Sequence, residues 1–120
     1  MKTILLIEDN DEMRENTAEI LEMADYQVIT AENGKEGVEL AELAKPDLII
    51  SDLSMPRLNG FEVIKSLKQS IKIKNTPFIF LTARNENENR ETGRNLGAVA
   101  YLTKPYNGTE LLKVISESLK

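Results

Sequence analysis

A chain of 120 residues, 41% of them hydrophobic and 29% charged, suits one compact domain with an ordinary buried core, and residues 1–120 are read as that domain. Its net charge of −5 and pI near 4.8 argue against a sequence-independent grip on nucleic acid, and no basic run or stretch of ~18 apolar residues points to a membrane. Cysteine and histidine are both absent, which removes disulfides, thiolate sites, imidazole ligands and any internal phosphohistidine; with no signal-peptide layout at Met1-Lys2-Thr3, the expected location is cytoplasmic.

Ile4–Ile7 reads as a first strand, ended by Glu8 and Asp9. Met13–Ala24 follows as a helix with Met13, Thr17, Ile20, Leu21 and Ala24 on one side, and Asn10 or Asp11 is placed to cap it. Gln27–Thr30 is a short, half-polar strand suited to a sheet edge. Asn33 precedes Glu36 by three positions, a capping-box variant that opens a helix to about Ala44, stopped by Lys45-Pro46-Asp47. Leu48–Ser51 is apolar enough for a central parallel strand and is closed by Asp52. Asn59 and Glu62 repeat the start signal, for a helix with Phe61, Ile64 and Leu67 inward. Phe78–Leu81 is a fourth strand, ended by Thr82. Arg84–Asn95 is helical but weakly apolar, with Gly97 as its stop. Val99–Thr103 is a fifth strand before Lys104-Pro105, and Asn107 with Glu110 opens a last helix carrying Leu111, Leu112, Ile115 and Leu119.

Five βα units with near-continuous apolar strands predict an open, doubly wound α/β fold: a parallel sheet with helices on both faces. Such sheets bind ligands beyond the carboxyl ends of their strands. Glu8, Asp9, Asp52, Thr82 and Lys104 all fall at predicted carboxyl ends. Carboxylates crowded there repel, each raising its neighbours' cost of ionising. A divalent cation such as Mg²⁺ resolves that conflict with hard oxygen ligands. An acidic pocket with one hydroxyl and one ammonium is equipped for phosphoryl chemistry.

With these residues in order, the chain resembles the receiver domain of two-component response regulators over almost its whole length. Glu8-Asp9, Asp52, Met55-Pro56, Gly60, Thr82-Ala83, Gly97-Ala98, Tyr101 and Lys104-Pro105 carry the resemblance. It implies a flavodoxin-like five-stranded sheet in the order 2-1-3-4-5, and a signalling phosphoacceptor rather than a turnover enzyme. It implies that Asp52 accepts a phosphoryl group from a histidine kinase or histidine phosphotransfer protein. A carboxylate ionised near neutral pH needs no general base for this. The resemblance makes Asp9, Asp52, Glu8 and the Ser54 carbonyl the ligands of Mg²⁺, with Mn²⁺ as a substitute. Lys104, the Thr82 hydroxyl and the Leu53 and Ala83 amides would hold phosphoryl oxygens. Lys104-Pro105 would be a cis peptide. Thr82 moving toward the phosphoryl group would let Tyr101 turn inward and reshape the face of the fourth helix, fifth strand and fifth helix for a protein partner.

The chain departs from the family pattern at several positions. Glu8 replaces an aspartate common there, which leaves open whether it touches the cation directly or through water. Ser54 and Arg84 stand two residues after Asp52 and Thr82, where the family tunes water access and slow self-dephosphorylation. Val99-Ala100 lacks the acids of the charged dimer face found in many DNA-binding regulators, and a monomer is expected before phosphorylation. Bland roles compete with each assignment: Asp9 or Asn10 as a cap, Asp52 as a strand-bounding acid, Lys104 as a surface lysine, Tyr101 as a packing aromatic. The ordered set weighs against them. A haloacid-dehalogenase-type phosphatase would want a second acid at position 54, and a flavodoxin-like cofactor binder would want a phosphate cradle where Glu8–Asp11 stands. A receiver acting by binding alone would not need the full chemical set. Kinase, output partner and attachment to a longer regulator are not written in the sequence.

Overall fold

The apolar runs form five parallel strands: β1 (Thr3–Ile7), β2 (Gln27–Ala31), β3 (Leu48–Asp52), β4 (Phe78–Thr82) and β5 (Ala100–Thr103). They are hydrogen-bonded in the order β2-β1-β3-β4-β5. Between and after them lie α1 (Asp11–Met23), α2 (Gly34–Ala44), α3 (Gly60–Lys68), α4 (Arg90–Asn95) and α5 (Gly108–Ser118). The computed structural model describes residues 1–55, 58–82 and 90–120. The open, doubly wound sheet and its strand order are those expected. The half-polar β2 does take an edge, where one side of its backbone needs no strand partner.

Strand alternation sorts the core into two layers. Ile4, Leu6, Leu48, Ile50, Ile79 and Leu81 pack with Leu21 of α1 and Leu111 and Ile115 of α5. The alternate residues Leu5, Ile7, Ile49, Phe78 and Phe80 pack on the other side with Ala41 of α2 and Val63, Ile64 and Leu67 of α3. Each fully buried aliphatic side chain contributes ~1.5–3 kcal/mol, so slipping a strand by one residue would invert both layers at once.

The helix starts follow the asparagine signals. Asn10 caps α1 by accepting from the Met13 N–H at 2.8 Å. Asn59 and Glu62 form a reciprocal capping box, at 3.0 and 2.9 Å, and Asn107 and Glu110 do the same at 2.8 and 3.2 Å. The box at α2 is displaced by one residue: Asn33 accepts from the Glu36 N–H, but the Glu36 carboxylate accepts from Glu32 rather than from Asn33. Gly97 ends α4 in the left-handed region at φ 107°, where a side chain would be strained.

One expectation needs correction, the start of β5, and the inward faces of two helices are drawn more finely. On α1 the buried stripe is Arg14, Thr17 and Leu21; Met13, Ile20 and Ala24 are half-buried at its margins. On α3, Val63 is fully buried and Phe61 only half-buried, set edge-on to Phe80 at 5.4 Å. β5 begins at Ala100, leaving Val99 56% exposed before the strand. Of the helix expected over Arg84–Asn95, Arg90–Asn95 is α4, and 84–89 lie outside the described residues. Among the described residues no helix is long and apolar enough to cross a membrane.

Candidate functional site

Sheet register brings the chemistry to one edge. Ile7 pairs with Ser51, so the next residues, Glu8 and Asp52, leave their strands side by side. Asp52 pairs with Leu81, and Thr82 pairs with Thr103, one residue before Lys104. The Lys104 N–H donates to the Thr82 carbonyl at 2.7 Å, extending the ladder by one step. The Lys104-Pro105 peptide is cis, as the resemblance implies.

Four side chains converge there. Lys104 Nζ stands 3.1 Å from Asp52 Oδ1 and 3.2 Å from Glu8 Oε1. Carboxylate oxygens of Glu8, Asp9 and Asp52 lie within 4.8 Å of one another. Glu8 is 1% exposed and Asp52 6%, whereas Asp9 is open to solvent. Both Glu8 oxygens are engaged, Oε1 by Lys104 and Oε2 by the Asn10 N–H at 3.2 Å.

Burial and the nearby Glu8 carboxylate push the Asp52 pKa from its usual 3.8 to about 7, although Lys104 pulls the other way. Burial disfavours the Lys104 ammonium, but Asp52 and Glu8 outweigh it and hold its pKa above the ordinary value. The expectation that Asp52 is ionised near neutral pH therefore depends on added positive charge. Three carboxylates facing one ammonium fit that need, offering hard oxygen donors within reach of a single small cation. Asp9 and Asp52 are the residues best able to hold it, since Glu8 is committed to its hydrogen bonds.

Thr82 is fully buried, and among the described residues its Oγ1 has no hydrogen-bond partner. A buried hydroxyl left in that state costs ~1–3 kcal/mol, so it is poised for an acceptor. Tyr101 is half-buried, its ring 5.5 Å from Phe80 and its hydroxyl against Gly93 of α4. Ser54 is exposed. Gly60 lets α3 start close under Asp52: a Cβ there would come 2.8 Å from the Asp52 carbonyl.

One site expectation is corrected. The Leu53 N–H, expected to face phosphate, donates to the Leu81 carbonyl at 3.0 Å, the bond that closes the last β3–β4 pair, Asp52 with Leu81. Ala83, Arg84 and Pro56 lie outside the described residues.

Sequence reasoning passed over two groups at the site's margin. Arg14 donates from Nη1 to the Glu8 carbonyl at 2.9 Å and from Nη2 to Asp11 at 2.6 Å. The signal for it was a charged residue within the 14-17-21 stripe of α1. The Tyr106 hydroxyl lies 2.9 Å from Thr17 Oγ1, tying the segment after Lys104 to α1.

A buried acid at the end of the middle strand, paired with a lysine from the last strand and flanked by acids from the first, defines a receiver-type site. The chain belongs to the response regulator receiver domain family, whose sequence profile matches residues 4–116. Protein PilH of Pseudomonas aeruginosa is 39% identical over 120 residues, covering 99% of this chain and 98% of PilH. The phosphate regulon transcriptional regulatory protein PhoB of the same organism is 37% identical over 99% of this chain, which spans only 52% of PhoB. Among solved structures, the chemotaxis protein CheY4 of Vibrio cholerae superposes with a TM-score of 0.94 at 35% identity, covering 99% of both chains. The receiver domain of sensor histidine kinase PA1611 from P. aeruginosa, which holds a magnesium ion in its active-site cleft, superposes with a TM-score of 0.90 at 28% identity, covering 98% of this chain and 97% of that one.

Proposed function

We propose that this receiver takes a phosphoryl group onto Asp52 from the phosphohistidine of a histidine kinase or a histidine phosphotransfer protein. The observation that carries the reading is the Asp52 carboxylate itself, 6% exposed and 3.1 Å from Lys104, with Glu8 and Asp9 oxygens beside it. An Asp52 oxygen bonds to phosphorus as the bond from phosphorus to the imidazole nitrogen breaks. The electron pair leaves on that nitrogen, which takes up a proton, and Asp52 becomes an acyl phosphate. Such transfers demand positioning and charge neutralisation rather than covalent help from the protein.

Bound Mg²⁺, or Mn²⁺ in its place, would neutralise phosphoryl oxygens and the acid cluster together, and Asp9, Asp52 and the Ser54 carbonyl would hold it, with the Glu8 carboxylate beside them. Lys104 would shift from the Asp52 carboxylate to a phosphoryl oxygen. Thr82 would supply its spare hydroxyl to another, and the Ala83 amide to a third. Thr82 and Tyr101 lie on the same side of the sheet, since Thr82 shares the parity of Phe80 and Phe80 pairs with Tyr101. Movement of Thr82 would therefore open space for Tyr101 and alter the α4-β5-α5 face read by a protein partner. Arg84 and Ser54 would set water access, and with it slow self-dephosphorylation.

Beryllofluoride, a phosphoryl mimic, tests this reading by NMR. The expected result is a shift of the Thr82, Tyr101 and Lys104 signals that requires Mg²⁺ and is absent in Asp52→Asn. Shifts independent of the metal, or retained in the variant, would refute it.

A further inference from the structure

Arg14 lies on the stripe of α1 that faces the sheet, between the turn carrying Glu8 and Asp9 and the buried residues Thr17 and Leu21. It is 9% exposed. A guanidinium so enclosed must satisfy a rigid fork of donors. Nη1 donates to the Glu8 carbonyl at 2.9 Å, and Nη2 to Asp11 Oδ1 at 2.6 Å, with a Glu32 oxygen at 3.9 Å. Glu8 leaves β1 with its N–H still in the sheet, donated to Ala31 at 3.1 Å, and its carbonyl handed to Arg14. The two arms of Arg14 thus clamp the β1–α1 turn on both sides of Asp9. The Asp9 carboxylate is exposed, so the turn's backbone sets where it points. The Asp11 and Glu32 carboxylates beside the guanidinium offset part of its positive charge.

We infer that Arg14 is a positioning residue for the cation: through the Glu8 carbonyl and Asp11 it holds the β1–α1 turn so that the Asp9 and Glu8 carboxylates face Asp52 before an ion arrives. The inference rests on the phosphoacceptor reading above. Groups that orient a metal's ligands without touching the metal change affinity by ~10–100-fold when removed. Lysine at this position offers a point charge without the fixed fork of a guanidinium.

The test is equilibrium binding of Mn²⁺, followed by electron paramagnetic resonance of the free ion, with Mg²⁺-dependent labelling by a small phosphodonor measured in parallel. Arg14→Met keeps an unbranched, apolar stem and removes the donors. The expected result is a Kd for Mn²⁺ raised about tenfold or more, a matching rise in the Mg²⁺ needed for half-maximal labelling, and wild-type labelling at saturating Mg²⁺. Arg14→Lys recovers part of the affinity. Asp11→Asn, at an exposed position, leaves Arg14 in place but loosens one arm; it raises Kd by less than Arg14→Met does and serves if Arg14→Met does not fold. Unchanged ion affinity in Arg14→Met, or in Asp11→Asn where that variant must decide, overturns the inference while wild-type labelling still upholds the site. Wild-type protein that neither binds Mn²⁺ nor takes label overturns both.

Discussion

Lys104, just past the last strand, places its ammonium 3.1 Å from the carboxylate of Asp52 at the end of the middle strand. The pair joins residues 52 positions apart in sequence, and only the order β3-β4-β5 brings them together. Lys104 is 21% exposed and also touches Glu8, so one cation serves two buried acids.

Removing that cation should therefore injure chemistry more than folding. Lys104→Met is expected to slow phosphodonor labelling of Asp52 by ~100-fold, the scale found when one oriented stabiliser of developing charge is lost. Stability should change little, because the buried acids can take up a proton. Stopped labelling assays at fixed Mg²⁺ measure the rate, and urea unfolding measures stability. Wild-type labelling in Lys104→Met would contradict the assignment.

The Asp52 carboxyl, raised to about 7, makes stability depend on pH in a definite sense. The folded state holds this proton more tightly than the unfolded chain, where the pKa is near 3.8. Stability contributed by the protonated form is thus present below about pH 4 and is lost as pH rises toward 7. In chelator, Asp52→Asn should match the wild type near pH 4 and exceed it at pH 8 by roughly 2–4 kcal/mol, at 1.36 kcal/mol per pKa unit. Mg²⁺ should erase much of that gap by stabilising the wild type alone. Urea midpoints at the two pH values check it; equal pH slopes for both proteins would count against a buried, perturbed Asp52.

Gly93 is a space requirement, since a Cβ there would collide with the Tyr101 hydroxyl. Gly93→Ala should cost ~1–3 kcal/mol as Tyr101 is forced out. In a Tyr101→Ala background the same change should be neutral or stabilising, because alanine favours a helix by ~1 kcal/mol over glycine. A double-mutant cycle by denaturant unfolding gives the coupling. An equal cost in both backgrounds would mean that Tyr101 is not what Gly93 accommodates.

The Thr17–Tyr106 hydrogen bond at 2.9 Å latches the segment after Lys104 onto α1. Thr17 is 3% exposed, and burial raises the pKa of the Tyr106 hydroxyl. Tyr106→Phe should cost ~1 kcal/mol, and adding Thr17→Val should cost little more, since the lost partner is already gone. Additive costs measured by unfolding would argue against the latch.

Much of this architecture is written locally. Asn33, Asn59 and Asn107 each announce a helix three residues before a glutamate, and each does cap one. The strands are legible because burial on both faces demands continuous apolar runs, and the site acids because they terminate those runs. Tertiary facts were less accessible. Hydrophobic periodicity scores arginine as solvent-facing, so Arg14 was invisible as a clamp inside the α1 stripe. Phe61 does pack inward with Ile64 and Leu67, at the rim of the core, while Val63 takes a fully buried place that the sequence reading passed over. The resemblance offers the Leu53 amide to phosphate, and nothing local in the sequence says that this N–H is bonded to the Leu81 carbonyl instead. Packing decides such details.

Mass spectrometry of the protein after exposure to a small phosphodonor tests the central claim most directly, with and without Mg²⁺. The account predicts one phosphoryl group per chain, on the peptide bearing Asp52, formed only with the metal and absent from Asp52→Asn. Labelling at another residue, or none with donor and metal both present, would contradict it.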